Sequence, residues 1–259
     1  MLKKLYHDFT MKNYSEFEYN LLKIDEFHLK SNSRLRFWYD HIRLNALKDD
    51  GDIFEFGVYQ GASLIAVALI LRELGSSKTI FGFDSFSGFP SYSKFDDLKN
   101  FNNSSYFSDT FNDEREIFTK LKKQITNIDN LDPISIASSG DFSNTSLKML
   151  MRKIEYFKLD NIKIIEGPFE KTVQDFIKKD NLKISSCNID CDLYDGYEIV
   201  LPFVYNLLSN GGYIHLDEYF SFKYPGAKIA TDNFCKKMNI TLKKNIVRQG
   251  EFDRWFITK

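Results

Sequence analysis

The sequence predicts an α/β protein with a doubly wound, mostly parallel, seven-stranded sheet, and three observations predict it. Short apolar runs rich in β-branched and aromatic residues alternate with segments of helical period. A glycine turn joins the first such run to the first helix, and the last two runs form a hairpin that supplies an antiparallel final strand. With 259 residues the chain has room for one large domain and an ample core.

Ahead of the sheet, Phe17, Leu21 and Ile24, then Leu35, Trp38 and Ile42, recur at helical spacing on either side of the polar break KSNSR. They predict two helices in an N-terminal extension over 1–50. The main domain, 51–259, opens with the strand DIFEFGV, the helix ASLIAVALILREL and the strand KTIFGFD. This is a βαβ unit, whose parallel strands need a right-handed crossover. Residues 86–112 hold aromatics among Ser, Asn and Asp without a sustained period, which predicts a loop acting as a lid over a site. Beyond it come a helix from 113 to about Asn130, the turn SSGDFSNTS, a helix over 145–158 and the strand NIKIIEG. A helix over 169–179, the strand KISSCNID, a helix over 195–208 and the strand GGYIHLD continue the repeat. The stretch ITLKKNIVRQGEFDRWFITK then closes as a hairpin about a Gln-Gly turn.

Basic and acidic residues balance at 35 against 36 without segregation, so the footprint of a nucleic-acid binder is missing. The longest apolar run, Leu64 to Leu71, is under half of the ~20 residues that span a bilayer, so no membrane partner is expected. Three cysteines, Cys187, Cys191 and Cys235, lack a CxxC pairing, and no secretory leader is recognisable. A soluble, cytoplasmic protein with a small polar ligand is the expectation.

In an open parallel sheet ligands sit outside the carboxyl ends of the strands, and those ends are acidic here: Glu55, Asp84, Glu166, Asp190 with Asp192, and Asp217 with Glu218. A single Asp after a strand is as often a turn residue or a helix cap. Five acidic strand ends on one rim imply cations or ligand hydroxyls to offset their repulsion. In the turn FEFGVYQGAS, Gly57 and Gly61 let the backbone approach a ligand, while Tyr59 stands where a nicotinamide fingerprint wants glycine. Glu55 would repel a pyrophosphate, whereas S-adenosylmethionine, with its ammonium and sulfonium, satisfies that restriction. Asp84 is placed to accept ribose hydroxyls. Asp190 or Asp192, with Asp217 and Glu218, brings three carboxylates together. Hard oxygen ligands select Mg²⁺, Mn²⁺ or Ca²⁺ over zinc without excluding Fe²⁺. His215 points to the same side of its strand as Asp217 and is a candidate base as well as a candidate core histidine.

The collinear segments FEFGVYQGAS, GFDSFSGFP, IEGPFEKTV, DCDLYDGY and GGYIHLDEYFSFKYPGAKIATDNF together resemble the TylF/MycF family of macrocin-type O-methyltransferases, over roughly residues 50 to 235. The resemblance implies a class I, Rossmann-like methyltransferase fold and a metal-dependent S-adenosylmethionine enzyme that methylates sugar hydroxyls. It implies methionine-moiety binding by Glu55 and Gly57 and ribose binding by Asp84, with the turn Ser139 to Ser143 near the adenine; the expected cofactor-binding set is Glu55, Gly57, Tyr59, Gly61, Ser63, Asp84, Ser85, Gly140, Asp141, Phe142 and Glu166. It implies a metal held by Asp190 or Asp192 with Asp217 and Glu218, and the candidate bases are whichever of Asp190 and Asp192 is not on the metal, or His215. This chain has Glu218 where the family commonly has a second aspartate, and Gly196 and Tyr197 after Asp195 where it tends to have serine or threonine.

The expected chemistry is in-line methyl transfer to a sugar hydroxyl, with magnesium, manganese or iron on the carboxylates and an adjacent base. A nucleotide-linked sugar or a glycoside feeding a bacterial surface (capsule) polysaccharide is the expected acceptor. Arg36, Arg43, Lys223, Lys228 and Arg248 are candidates to meet a diphosphate, and the N-terminal helices to cap the site or form a homodimer contact. The competing classes are a catechol-type O-methyltransferase, an NAD-dependent oxidoreductase and a non-catalytic ligand-binding module.

Overall fold

A computed structural model describes residues 34–102, 106–137, 139–177, 181–247 and 251–259. The first expected helix, with Phe17, Leu21 and Ile24, lies outside the described residues. The second is α1 (Arg36–Asn45), followed in chain order by β1 (Asp52–Phe56), α2 (Ala62–Glu73), β2 (Ile80–Asp84), α3 (Asp109–Thr126), α4 (Pro133–Ile136) and α5 (Leu147–Tyr156). Then come β3 (Ile162–Glu166), α6 (Phe169–Phe176), β4 (Ile184–Ile189), α7 (Tyr194–Leu207), β5 (Leu208–Leu216), α8 (Pro225–Met238), β6 (Lys243–Lys244) and β7 (Trp255–Thr258).

The strands form one seven-stranded sheet in the order β3-β2-β1-β4-β5-β7-β6. β1 to β5 run parallel, while β7 is antiparallel to both β5 and β6. The chain winds outward from β1 to β3 and returns to β4 on the other side. The order therefore reverses between β1 and β4, which is where such a sheet opens a crevice for ligands.

Strict alternation along each strand assigns residues to two cores. Ile53, Ile80 and Tyr213 pack with α1, α2 and α5, whereas Phe54, Phe56, Phe81, Phe83, Cys187 and Ile214 pack with α6, α7 and α8. Helix α1 belongs to the first of these cores. Its Trp38, Tyr39 and Ile42 are buried, and the Trp38 indole donates to Ser186 Oγ of β4 at 2.6 Å.

The described residues of 86–112, where a lid is expected, include regular structure. Two short 3-10 turns, Lys94–Asp96 and Leu98–Asn102, precede the first turn of α3. The Asp96 carboxylate, fully buried, accepts from Ser93 and from the backbone N–H of Tyr194 at 2.9 Å, which pins the segment to the start of α7. Phe101, Phe107 and Phe111 close a third aromatic cluster against Phe220 and Phe222. Helix α8 is not among the expected elements, although Pro225 in its first turn is a usual start signal.

At the reversal, Gly57 has φ of 89°, and a Cβ added there would stand 1.7 Å from the Asp190 carbonyl oxygen. Both the conformation and the close approach demand glycine. Gly57→Ala is therefore expected to destabilise the fold by more than the ~1–3 kcal/mol of backbone strain alone, read as a fall in the denaturation midpoint.

Candidate active site

The turn after β1 is shaped by Asp84. Its Oδ2 accepts the backbone N–H groups of Val58 and Tyr59, each at 2.8 Å, and its Oδ1 accepts that of Phe86 at 2.7 Å. Three of the roughly four acceptor sites of a carboxylate are thus taken, and the remaining capacity for a ligand hydroxyl lies on Oδ1. The far side of the turn is held by residues 144–145 and by α5. Gln60 Nε2 donates to the Asn144 carbonyl at 2.8 Å, Thr145 Oγ1 to the Tyr59 carbonyl at 2.5 Å, and the buried Lys153 Nζ to the Gln60 carbonyl at 2.6 Å. Beside the turn, Phe142 meets Tyr59 edge-on at 5.2 Å and Phe89 at 4.9 Å.

These groups border a cavity of about 440 Å³, whose lining includes Gly57, Tyr59, Asp84, Ser85, Phe142 and Phe169. Of the expected cofactor residues, Ser63 lines a second, adjoining cavity instead. Gly61 packs against Leu150, while Gly140, Asp141 and Glu166 border neither cavity. Glu55 lies wholly buried beneath the turn, accepting from Asn188 Nδ2 at 3.1 Å. Burial raises its pKa to about 8, against the pull of hydrogen bonds from Ser63 and Asn188. In register, Glu55 pairs with Asn188, and Asn188 with His215, so three buried polar side chains cross the middle of the sheet one level below its edge.

The second cavity, about 730 Å³, is bordered by Arg34, Tyr39 and Ser63 on one side and by an aromatic wall, Phe118, Phe220, Phe222, Tyr224 and Phe252, on the other. The two cavities share Arg34, Tyr59, Phe142, Asp190 and Asp192. At this seam Asp190, Asp192 and Glu218 each offer a carboxylate oxygen, and the three oxygens lie within 4.8 Å of one another. Asp192 reaches it from a left-handed backbone, φ 59°, uncommon for a residue other than glycine. Burial, followed by the charge of Asp190, pushes the Asp192 and Glu218 carboxyls well above the usual carboxylate range. Three acids so placed are mutually repulsive unless a cation or protons intervene, and their hard oxygens suit a divalent ion.

Asp217 stands slightly apart. Its Oδ2 is bonded by Arg34, which also donates to Asp190 Oδ2 at 2.8 Å. Glu218 is seated by Tyr197, a fully buried side chain whose hydroxyl lies 3.0 Å from Glu218 Oε2, 2.9 Å from the Ile189 carbonyl and 3.1 Å from the Glu218 backbone N–H that donates to it. His215 is wholly buried, borders neither cavity, and has no hydrogen bond on either ring nitrogen among the described residues. Burial, then Arg254 and Arg34, lower its pKa to about 3, so its ring is neutral. Its Nε2 lies 3.8 Å from Asp217 Oδ1.

Of the basic residues expected to meet an acceptor, Lys223 borders the larger cavity. Arg36 is paired with Glu251 at 2.5 Å, Arg43 with Asp40 at 3.1 Å, and Lys228 with Asp232 at 2.5 Å, while Arg248 lies outside the described residues. Sequence reasoning missed Arg34, Arg254, Thr145 and the aromatic wall. Only the clustering of Phe220 and Phe222 just past HLDE signalled any of them.

The family model for macrocin-O-methyltransferase (TylF) matches residues 135–251. Among solved structures the chain is similar to the O-methyltransferase NovP, with a TM-score of 0.59 and 18% identity, covering 92% of this chain and 79% of that one. It is similar to CalS11, calicheamicin methyltransferase, with a TM-score of 0.59 and 17% identity, covering 99% of this chain and 90% of that one. An apo structure of CalS11, described as TDP-rhamnose 3'-O-methyltransferase, gives a TM-score of 0.53 at 18% identity, covering 99% and 92% of the two chains. No curated protein matches by sequence. At these identities the structural likeness speaks for the fold, and the family match speaks for the chemistry. Over residues 135–251 the chain is similar to the TylF macrocin-O-methyltransferase family, and its fold is that of the O-methyltransferases NovP and CalS11.

Proposed function

We propose that the enzyme methylates a sugar hydroxyl, with S-adenosylmethionine in the smaller cavity, the acceptor in the larger one and a divalent ion on the acids between them. The observation that carries this is the position of the acid trio on the seam, where donor and acceptor would meet. Asp190, Asp192 and Glu218 would hold the ion, with Asp217 beside them on Arg34. Magnesium, manganese or iron is consistent with these oxygen donors. When bound, such an ion supplies Lewis-acid stabilisation of an acceptor oxygen as it loses its proton.

The chain's own residues do the rest. Asp84 and the turn at Gly57 bind the donor's ribose and methionine ends, and Phe142 and Phe89 flank it. The acceptor oxygen attacks the methyl carbon in line, and the carbon–sulfur electron pair returns to sulfur, leaving S-adenosylhomocysteine. The hydroxyl proton passes to a carboxylate oxygen of Asp190 or Asp192, the two acids bordering both cavities. Holding the two reactants in line contributes up to ~7–11 kcal/mol of the barrier.

Beyond this, the acceptor would be a nucleotide-linked sugar or a glycoside. CalS11, whose fold this chain shares, acts on the nucleotide-linked sugar TDP-rhamnose. Use in a surface polysaccharide, a cytoplasmic location and a homodimer extend the same proposal. No helix among the described residues is long and apolar enough to cross a membrane.

The test is incubation with S-adenosylmethionine and Mg²⁺ against nucleotide sugars, glycosides and catechols, with product masses recorded. A methylated sugar is the expected product, and methylation confined to catechols sinks the proposal. Tyr197→Phe removes the hydroxyl that seats Glu218, and we expect it to weaken Mn²⁺ binding about tenfold in a calorimetric titration while sparing S-adenosylhomocysteine binding.

A further inference from the structure

We infer that Arg254 forms an anion subsite in the larger cavity, so that the acceptor carries a phosphate or carboxylate besides the hydroxyl that is methylated. This rests on the methyl-transfer proposal above and names its substrate class.

Arg254 directly precedes Trp255, which pairs with Leu216 at the end of β5, so it enters the cavity alongside Asp217 and Glu218. Its backbone is fixed, since its carbonyl accepts from the Asn245 backbone N–H at 2.8 Å and from Asn245 Nδ2 at 3.2 Å. Its guanidinium makes no hydrogen bond or ion pair with a described side chain. That contrasts with Arg36, Arg43 and Lys228, each held by a carboxylate. Burial lowers the Arg254 pKa, and the nearby Arg34 charge lowers it further, so this cation is maintained at some cost. The Glu218 and Glu251 charges act on it, but a planar guanidinium that lines a cavity with no hydrogen bond to a described side chain is suited to a two-pronged hold on an oxyanion.

The charge around it agrees. Arg34, Lys223 and Arg254 face Asp190, Asp192, Asp217 and Glu218 in the cavity wall, one negative charge in excess once all four acids are ionised, as a bound cation would make them. A divalent ion on the acid trio would turn that to one positive charge, which favours an anionic acceptor over a neutral one. The aromatic wall adds a second constraint. Phe222 meets Phe252 edge-on at 4.7 Å and Phe118 at 5.7 Å, and Phe252 remains 46% exposed, so ring faces and edges lie open in the same cavity as the cation. A planar base joined to a diphosphate matches both features, and a uronic acid matches the cation alone.

The test is calorimetric titration of the full chain, with S-adenosylhomocysteine and Mg²⁺ held constant. The probes are uridine diphosphate, thymidine diphosphate, uridine and galacturonate. Chelation of Mg²⁺ by a diphosphate is common to every variant and cancels in the comparison. We expect a diphosphate to bind the wild type and Arg254→Gln to weaken it about 10- to 100-fold, the loss of a charged hydrogen-bonded pair. Uridine and S-adenosylhomocysteine should bind both proteins equally. Arg254→Lys, which keeps the charge without the fork, should lie between them and carries the comparison should the Gln variant not fold. Loss confined to galacturonate keeps the subsite and makes its ligand a carboxylate. If wild-type protein that binds S-adenosylhomocysteine binds no anion, or if Arg254→Gln binds every anion unchanged, the subsite is overturned. Failure of the wild type to bind S-adenosylhomocysteine overturns the methyl-transfer proposal instead.

Discussion

Asp190→Asn is expected to cut the rate of methyl transfer about 10²- to 10⁴-fold, the range for losing a positioned acid or base, without unfolding the protein. Asp190 belongs to the acid trio, borders both cavities and shares Arg34 with Asp217. The change exchanges one carboxylate oxygen for an amide of nearly the same shape and removes one of three crowded charges. Loss of that repulsion offsets the loss of the Arg34 pair, so thermal stability without metal should hold steady or rise. Steady-state kinetics on the identified acceptor, with S-adenosylhomocysteine affinity as control, makes the check. Near-normal turnover, or loss of stability in proportion to activity, would mean that Asp190 is structural.

The second large effect concerns Glu55. Its carboxyl is wholly buried and its pKa is raised to about 8 from an ordinary 4.5, first by burial and then by Asp190, with Ser63, Asn188 and Arg34 pulling the other way. The native state therefore holds a proton that the unfolded chain releases above pH 4.5. The stability contributed by protonated Glu55 is fully present below about pH 4.5 and is lost as pH rises through about 8. At ~1.4 kcal/mol per pH unit the total is on the order of 4–5 kcal/mol. Denaturant titrations from pH 5 to 9 should show the wild type losing stability over that span. Glu55→Gln, which keeps the shape and cannot ionise, should lose much less. Parallel curves for the two proteins would contradict the assignment.

Glu55 also shows where the sequence was legible and where it was not. The strand runs were visible because apolar alternation is a local property, and β1 to β5 fall where the pattern placed them. The acidic strand ends were visible for the same reason. What a pattern cannot show is which way a carboxylate faces. Glu55 is the next-to-last residue of β1, lies on the strand face that packs with α1 and α2, and is wholly buried beneath the turn. Asp192 joins the trio because of one left-handed backbone angle, whereas Asp217, expected in the same set, turns to Arg34. Arg34 is remote from both in sequence, and only the docking of α1 brings it there. Helix α8 escaped notice because half of its buried residues are Gly, Ala or Thr, with Pro225 and Lys228 among the others, and these give little hydrophobic period. Within 86–112 the aromatic spacing follows a tertiary cluster with Phe220, and no local periodicity records that.

The most direct test of a cation held between two ligand cavities is a crystal structure with S-adenosylhomocysteine and Mn²⁺, the ion located by its anomalous scattering. The expected peak lies among Asp190, Asp192 and Glu218, with the homocysteine sulfur reaching the seam from the Gly57–Asp84 side. A manganese peak elsewhere, or S-adenosylhomocysteine bound outside the smaller cavity, would contradict it.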